Sequence, residues 1–94
     1  MNNKILKKDV FISYSSKDIE WADAICKTLE TESLNCWIAH RDINPGEDWA
    51  ESINNAIKES SVFVLVFSQN SNQSVQVIKE LTLAVNNKCI IIPF

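Results

Sequence analysis

Ser61-Val62-Phe63-Val64-Leu65-Val66-Phe67-Ser68 is the stretch on which the fold turns. Its apolar residues run on without alternation, whereas a strand with one wet face would place a polar side chain at every second position. Such a strand is covered on both faces and belongs at the centre of a parallel sheet. Before it, Asp48 followed by Glu51 starts a helix with apolar positions Trp49, Ile53, Ala56 and Ile57. Earlier still, Asn35 to Ala39 reads as a short strand around Cys36, Trp37 and Ile38. His40 to Glu47 is the longest expected loop, and Asn44-Pro45-Gly46 marks a turn in it, because proline presets φ and glycine tolerates positive φ. Ile19, Ala22, Ile25, Cys26 and Leu29 recur at helical spacing to near Glu32, behind a capping signal of Ser15 and Asp18 three residues apart. Val10-Phe11-Ile12 marks a first strand from Lys8 to Tyr14.

Beyond the central stretch, Ser71 to Ser74 offers caps for another helix, with Val75, Ile78, Leu81 and Val85 as its expected buried stripe. Cys89 to Phe94 is the fourth strand. Strands separated by helices of this length need crossovers, so the sheet is parallel and the connections right-handed. The expected class is α/β, a flavodoxin-like open parallel sheet with helices on both faces. A last strand as apolar as Cys89 to Phe94 would be an open edge, which proteins normally cover or charge. The fold is therefore expected to be truncated after its fourth strand, with residues 1–7 as a leader, frayed at Met1 to Lys4, and 8–94 as the domain.

The 94 residues are 46% hydrophobic and carry a net charge of −3, which bounds the chain to one ordinary globular domain. A single glycine, Gly46, excludes Gly-rich dinucleotide turns and P-loops, which need several backbone positions without a Cβ. A single histidine, His40, excludes HExxH and Cys/His zinc patterns, so no metal is expected. Cys26, Cys36 and Cys89 form no CxxC pair and read as buried thiols in a reducing compartment. The longest apolar run, Val62 to Phe67, falls far short of the about 18 residues needed to span a bilayer, and no signal peptide opens the chain. Cytoplasmic localisation follows, with no membrane partner. Lysines scattered singly offer no basic stripe for nucleic acid.

Ligands of open parallel sheets bind beyond the carboxyl ends of the strands, where strand order reverses. Three polar loops meet that condition: Ser13 to Ser16, His40 to Gly46, and Ser68 to Ser71. Their serines also suit plain capping. On the last helix, Gln73, Gln76 and Glu80 form a polar stripe beside the expected buried arc, where Glu80 is either a solvated helix residue or a half-buried carboxylate lining a cleft. A phosphorelay receiver shares the topology, but it needs acidic residues after the first strand and at the end of the third, where this chain has serines.

Asp9 to Ser15, Trp37 to Gly46, Ser74 to Leu81 and Ile90 to Pro93 closely resemble, in this order, blocks of a bacterial Toll/interleukin-1 receptor (TIR) domain. The resemblance runs from Asp9 to the end of the chain and lacks the last third that such domains usually carry. It implies two candidate activities. One is cleavage of NAD+ between nicotinamide and ribose, giving ADP-ribose or a cyclic isomer, with NAD+ as substrate and no cofactor. The other is a non-catalytic scaffold that assembles with its own kind through the loop Asp42, Ile43, Asn44, Pro45 and Gly46.

By resemblance, Glu80, directly before Leu81, holds the place of the catalytic glutamate. Tyr14 and Ser15 match first-loop positions that line the cleft, and Arg41 and Asp42 match a loop that gates it. Arg41, the only arginine, fits two readings equally: a clamp for pyrophosphate, or an ion pair that shapes the loop. Gln76 stands where many hydrolysing relatives have a tryptophan for stacking, so that ring falls to Trp49 or to a neighbouring chain. His40 stands where proline is frequent. Abundant isoleucine, asparagine and lysine beside one arginine hint at an AT-rich bacterial genome. Relatives there are often immune effectors against phage, activated by self-association, with a sensor domain fused or separate.

Overall fold

Residues 9–94 are described by the structure, a computed structural model. The expected leader over 1–7 and the strand start at Lys8 lie outside the described residues. Strands β1 (Val10–Ser13), β2 (Cys36–Ile38), β3 (Val62–Leu65) and β4 (Ile90–Pro93) pair in parallel in the order β2-β1-β3-β4. This is the flavodoxin-like order, in which the chain reverses its direction of travel across the sheet between β1 and β3.

Alternate side chains of the strands feed two cores. Val10, Ile12, Cys36, Ile38, Val64 and Val66 pack with Ala22 and Cys26 of α1 (Ile19–Thr31). Phe11, Trp37 and Phe63 face the other way, onto Ile53, Ala56 and Ile57 of α3 (Trp49–Glu59) and Ala84 of α5 (Val75–Asn86). Helices thus cover both faces. Register brings Phe11 level with both Trp37 and Phe63, and the rings stack at centroid separations of 5.0 and 5.4 Å. Each such ring contributes roughly 1.5–3 kcal/mol by leaving water, which makes this aromatic row a principal lock on the register of three strands.

Several expectations need correction. Strand β3 stops at Leu65 rather than Ser68, because Ser68 caps the short helix α4 (Gln69–Asn72) in a reciprocal pair with Ser71. The loop after β2 opens with another short helix, α2 (Ala39–Asp42), since the Asp42 carboxylate accepts from Ile38 N–H and closes a helical turn. Ser15 caps only a 3-10 turn, Ser16–Asp18, and Asp18 turns away from it. Trp49 is 58% exposed rather than core. Cys26 and Cys36 are buried as expected, but Cys89 is half-buried.

The largest correction concerns α5. Its buried residues are Val77, Glu80 and Ala84, while Val75, Ile78 and Val85 of the expected stripe point outward, each more than half exposed. Apolar residues occupy two arcs of this helix. The arc with the small Ala84 and the hydrogen-bonding Glu80 is the one that docks on the sheet.

Candidate functional site

Ser13 ends β1 at the carboxyl edge of the sheet, beside the point where strand order reverses. Its Oγ donates to Glu80 Oε1 at 2.7 Å. Glu80 is positioned by α5, whose N-cap Ser74 accepts from Val77 N–H, and one helical turn earlier Gln76 Nε2 donates to Glu80 Oε2 at 3.1 Å. Only 6% of Glu80 is exposed. Burial pushes its carboxyl above the usual range, and the hydrogen bonds from Ser13 and Gln76 pull the other way. No cation pairs with it in any ion pair among the described residues.

Such a carboxylate costs stability where it sits, and it opens onto a cleft of about 270 Å³ between α3 and α5, lined by Trp49, Ala50, Ile53, Gln76, Lys79, Glu80 and Leu83. The exposed Trp49 therefore shares a wall with Glu80 and Gln76. A larger cavity of about 440 Å³ lies elsewhere, between α1 and the segment after β3. Its one acid, Asp18, already accepts from Ser68 Oγ at 2.5 Å and Asn70 Nδ2 at 3.0 Å. Chemistry is better provided for in the smaller cleft.

Matches to known proteins follow this geometry. The family model described as TIR domain matches residues 10–94. The chain is a TIR domain. It is similar to the TIR domain of the Toll-related receptor TRR-2 from Hydra magnipapillata, with 30% identity, a TM-score of 0.83, and coverage of 92% of this chain and 68% of that one. A metazoan TIR-STING receptor from C. gigas is 32% identical, with a TM-score of 0.78 and coverage of 90% and 29%. The TIR domains of the activated Roq1 resistosome share the fold at 23% identity and a TM-score of 0.82, over 92% of this chain and 55% of that one. No curated protein matches. Among the described residues, no helix of this TIR domain is long and apolar enough to cross a membrane.

The remaining sequence-derived positions divide. Gln76 joins Glu80 directly. Ser15 is buried and accepts from Lys17 N–H as a cap. Tyr14 leans toward the α1 side of the same strand end, half-buried, where burial raises its pKa and the charges of Asp23 and Glu80 add to the effect. Arg41 and Asp42 do not meet Glu80. Arg41 forks onto Asp42 at 3.0 and 3.1 Å, and reaches Glu30 Oε1 and the Cys36 carbonyl at 2.9 Å each. Of the two readings of Arg41, the ion pair that shapes the loop is the arrangement present.

Two features of this TIR domain escape sequence reasoning. Cys26, Glu30 and Cys36 bring three metal-competent atoms within 4.8 Å of one another, at spacings that match no metal motif. The cation among them is the Arg41 guanidinium, with Nη1 3.7 Å from Cys26 Sγ. Burial and the neighbouring thiol push Cys36 up to about 12, which keeps it protonated. The second is a hydrogen-bonded chain through His40, where the only available signal was a histidine in place of a frequent proline.

Proposed function

We propose that this TIR domain cleaves NAD+ at the nicotinamide–ribose bond, releasing nicotinamide and ADP-ribose or a cyclic ADP-ribose. The observation that carries this reading is the buried Glu80, in no ion pair among the described residues and held by Ser13 and Gln76 beside a cleft with an exposed indole. In NAD+ the leaving ring is a pyridinium. When its C–N bond breaks, the electron pair passes to the ring nitrogen and nicotinamide departs neutral, so no general acid is required. Positive charge moves onto the ribose, and a fixed carboxylate in a water-poor site stabilises it. Water, or another nucleophile for the cyclic product, then attacks and loses a proton. Burial works against the charged form of Glu80, while the hydrogen bonds from Ser13 and Gln76, and an arriving cation, favour it. Trp49 supplies the stacking face that Gln76 cannot.

With an arginine-poor, lysine-rich composition, the activity fits a cytoplasmic bacterial immune effector switched on by self-association and coupled to a sensor domain. The second reading, a non-catalytic TIR scaffold, draws on the loop after α2. Ile43 anchors that loop in the core, while Asn44, Pro45 and Gly46 stand exposed. Gly46 has φ +89°, and a Cβ there would meet nothing within 4 Å.

The test is nicotinamide release from NAD+ by the assembled chain, by Glu80→Ala and by Glu80→Gln. Turnover by the parent and none by either variant is expected. An inactive assembled parent sinks the enzyme reading. Pro45→Ala and Gly46→Arg are expected to weaken assembly and turnover together, and assembly untouched by both contradicts the docking role of Asp42 to Gly46.

A further inference from the structure

Asp23 of α1, His40 of α2 and Tyr14 after β1 form a continuous hydrogen-bonded chain. His40 Nε2 lies 2.7 Å from Asp23 Oδ1, and His40 Nδ1 lies 2.6 Å from the Tyr14 hydroxyl. The rings meet edge to face at 5.5 Å, and the His40 backbone N–H donates to the same hydroxyl at 3.3 Å. A carboxylate only accepts, so in a neutral imidazole the proton belongs on Nε2. Nδ1 is then a lone pair, and the short contact to Tyr14 requires the phenol to donate. With its proton committed to His40 and one lone pair taken by the backbone, the Tyr14 oxygen has only acceptor capacity left. Tyr14 follows Ser13, which holds Glu80, and the Glu80 charge acts on the phenol, so this oxygen stands at the same end of β1 as the candidate site but on its α1 side, outside the lining of the α3–α5 cleft.

We propose that Asp23 and His40 are positioning residues that fix the Tyr14 hydroxyl as a hydrogen-bond acceptor, selecting a ligand group that donates, such as a ribose hydroxyl, over a phosphate or carbonyl oxygen. The choice of ribose rests on the NAD+ reading. The direction of the hydrogen-bonded chain does not.

His40 is the only histidine and Tyr14 the only tyrosine, so ¹⁵N spectra of the imidazole report one site. The parent chain is expected to show the Nε2–H tautomer. Asp23→Lys replaces an acceptor with a donor at an exposed position and is expected to move the proton to Nδ1, reversing Tyr14, while Asp23→Glu keeps the parent spectrum. For NAD+ cleavage, Asp23→Lys should raise KM roughly three- to tenfold with kcat little changed, the size of one net hydrogen bond. In a Tyr14→Phe background the same substitution should add nothing. An Nδ1–H tautomer in the parent, no tautomer change in Asp23→Lys, or a full KM effect without the tyrosine hydroxyl overturns the proposal. Absence of turnover in every assembled variant removes the ribose assignment and the NAD+ reading, while the spectra still decide the direction of the chain.

Discussion

Glu80 occupies a position where a neutral side chain would stabilise the fold. Its folded pKa is raised, so its favourable contribution is complete at low pH, where it is protonated whether folded or not, and is lost as pH rises from the ordinary carboxylate range through the folded value. Glu80→Gln is therefore expected to stabilise the domain at neutral pH by about 1 kcal/mol, roughly 4–8 °C in Tm for this size, with the gain shrinking on acidification, while abolishing NAD+ cleavage. Thermal denaturation at several pH values checks this, and a loss of stability in Glu80→Gln at neutral pH contradicts it. Ser13→Ala removes a hydrogen bond that lowers the pKa of Glu80. The acidic limb of the pH–rate profile should move to higher pH, because the Ser13 hydrogen bond favours the charged form of Glu80. An unmoved limb would show that Ser13 does not tune Glu80.

The short helix α2 exists because of two side chains. Asp42 folds back onto Ile38 N–H, and Arg41 holds Asp42 while reaching the Cys36 carbonyl and Glu30. Arg41→Lys keeps the charge but loses the planar fork, so a stability loss of about 1 kcal/mol is expected in chemical denaturation, discounted for the exposure of the pair. A neutral result would mean that the fork is decorative. These contacts also mark where sequence reasoning stops. Strands β1 to β4 and the long helices were readable from periodicity and caps, because Asp48, Ser74 and the apolar runs act on near neighbours. Helix α2 was not, since it depends on a side chain meeting a backbone donor four residues back. The facing of α5 departs from periodicity for a related reason: Val75, Ile78 and Val85 make a better apolar stripe than Val77, Glu80 and Ala84, but Ser13, distant in sequence, holds Glu80 inward while Leu81 of the expected stripe still packs against the core. The catalytic candidate itself came from resemblance, and its burial came from the structure.

The described molecule has a radius of gyration of 12.4 Å, the value expected of a well-packed domain of this length, so its exposed apolar groups do not reflect loose packing. Four of them lie on β4 or beside it: Ile90 is 62% exposed, Ile92 42% and Phe94 67%, with Phe67 at 58%. Strand β4 pairs with β3 alone, which leaves one edge open among the described residues. Ile92→Lys is expected to lower light scattering by concentrated protein while changing the unfolding midpoint by less than about 0.5 kcal/mol in equivalent stability. Unchanged scattering would move the cause of any self-association to another surface, such as the outward arc of α5.

The partners of the shortest tie in the site, Ser13 and Glu80, are separated by 67 positions of sequence. During synthesis the first of them leaves the ribosome long before the second has been translated. If the carboxylate is what lets the domain cleave the cell's dinucleotide pool, the growing polypeptide is harmless until α5 has been made, and any product ending before α5 stays harmless for good.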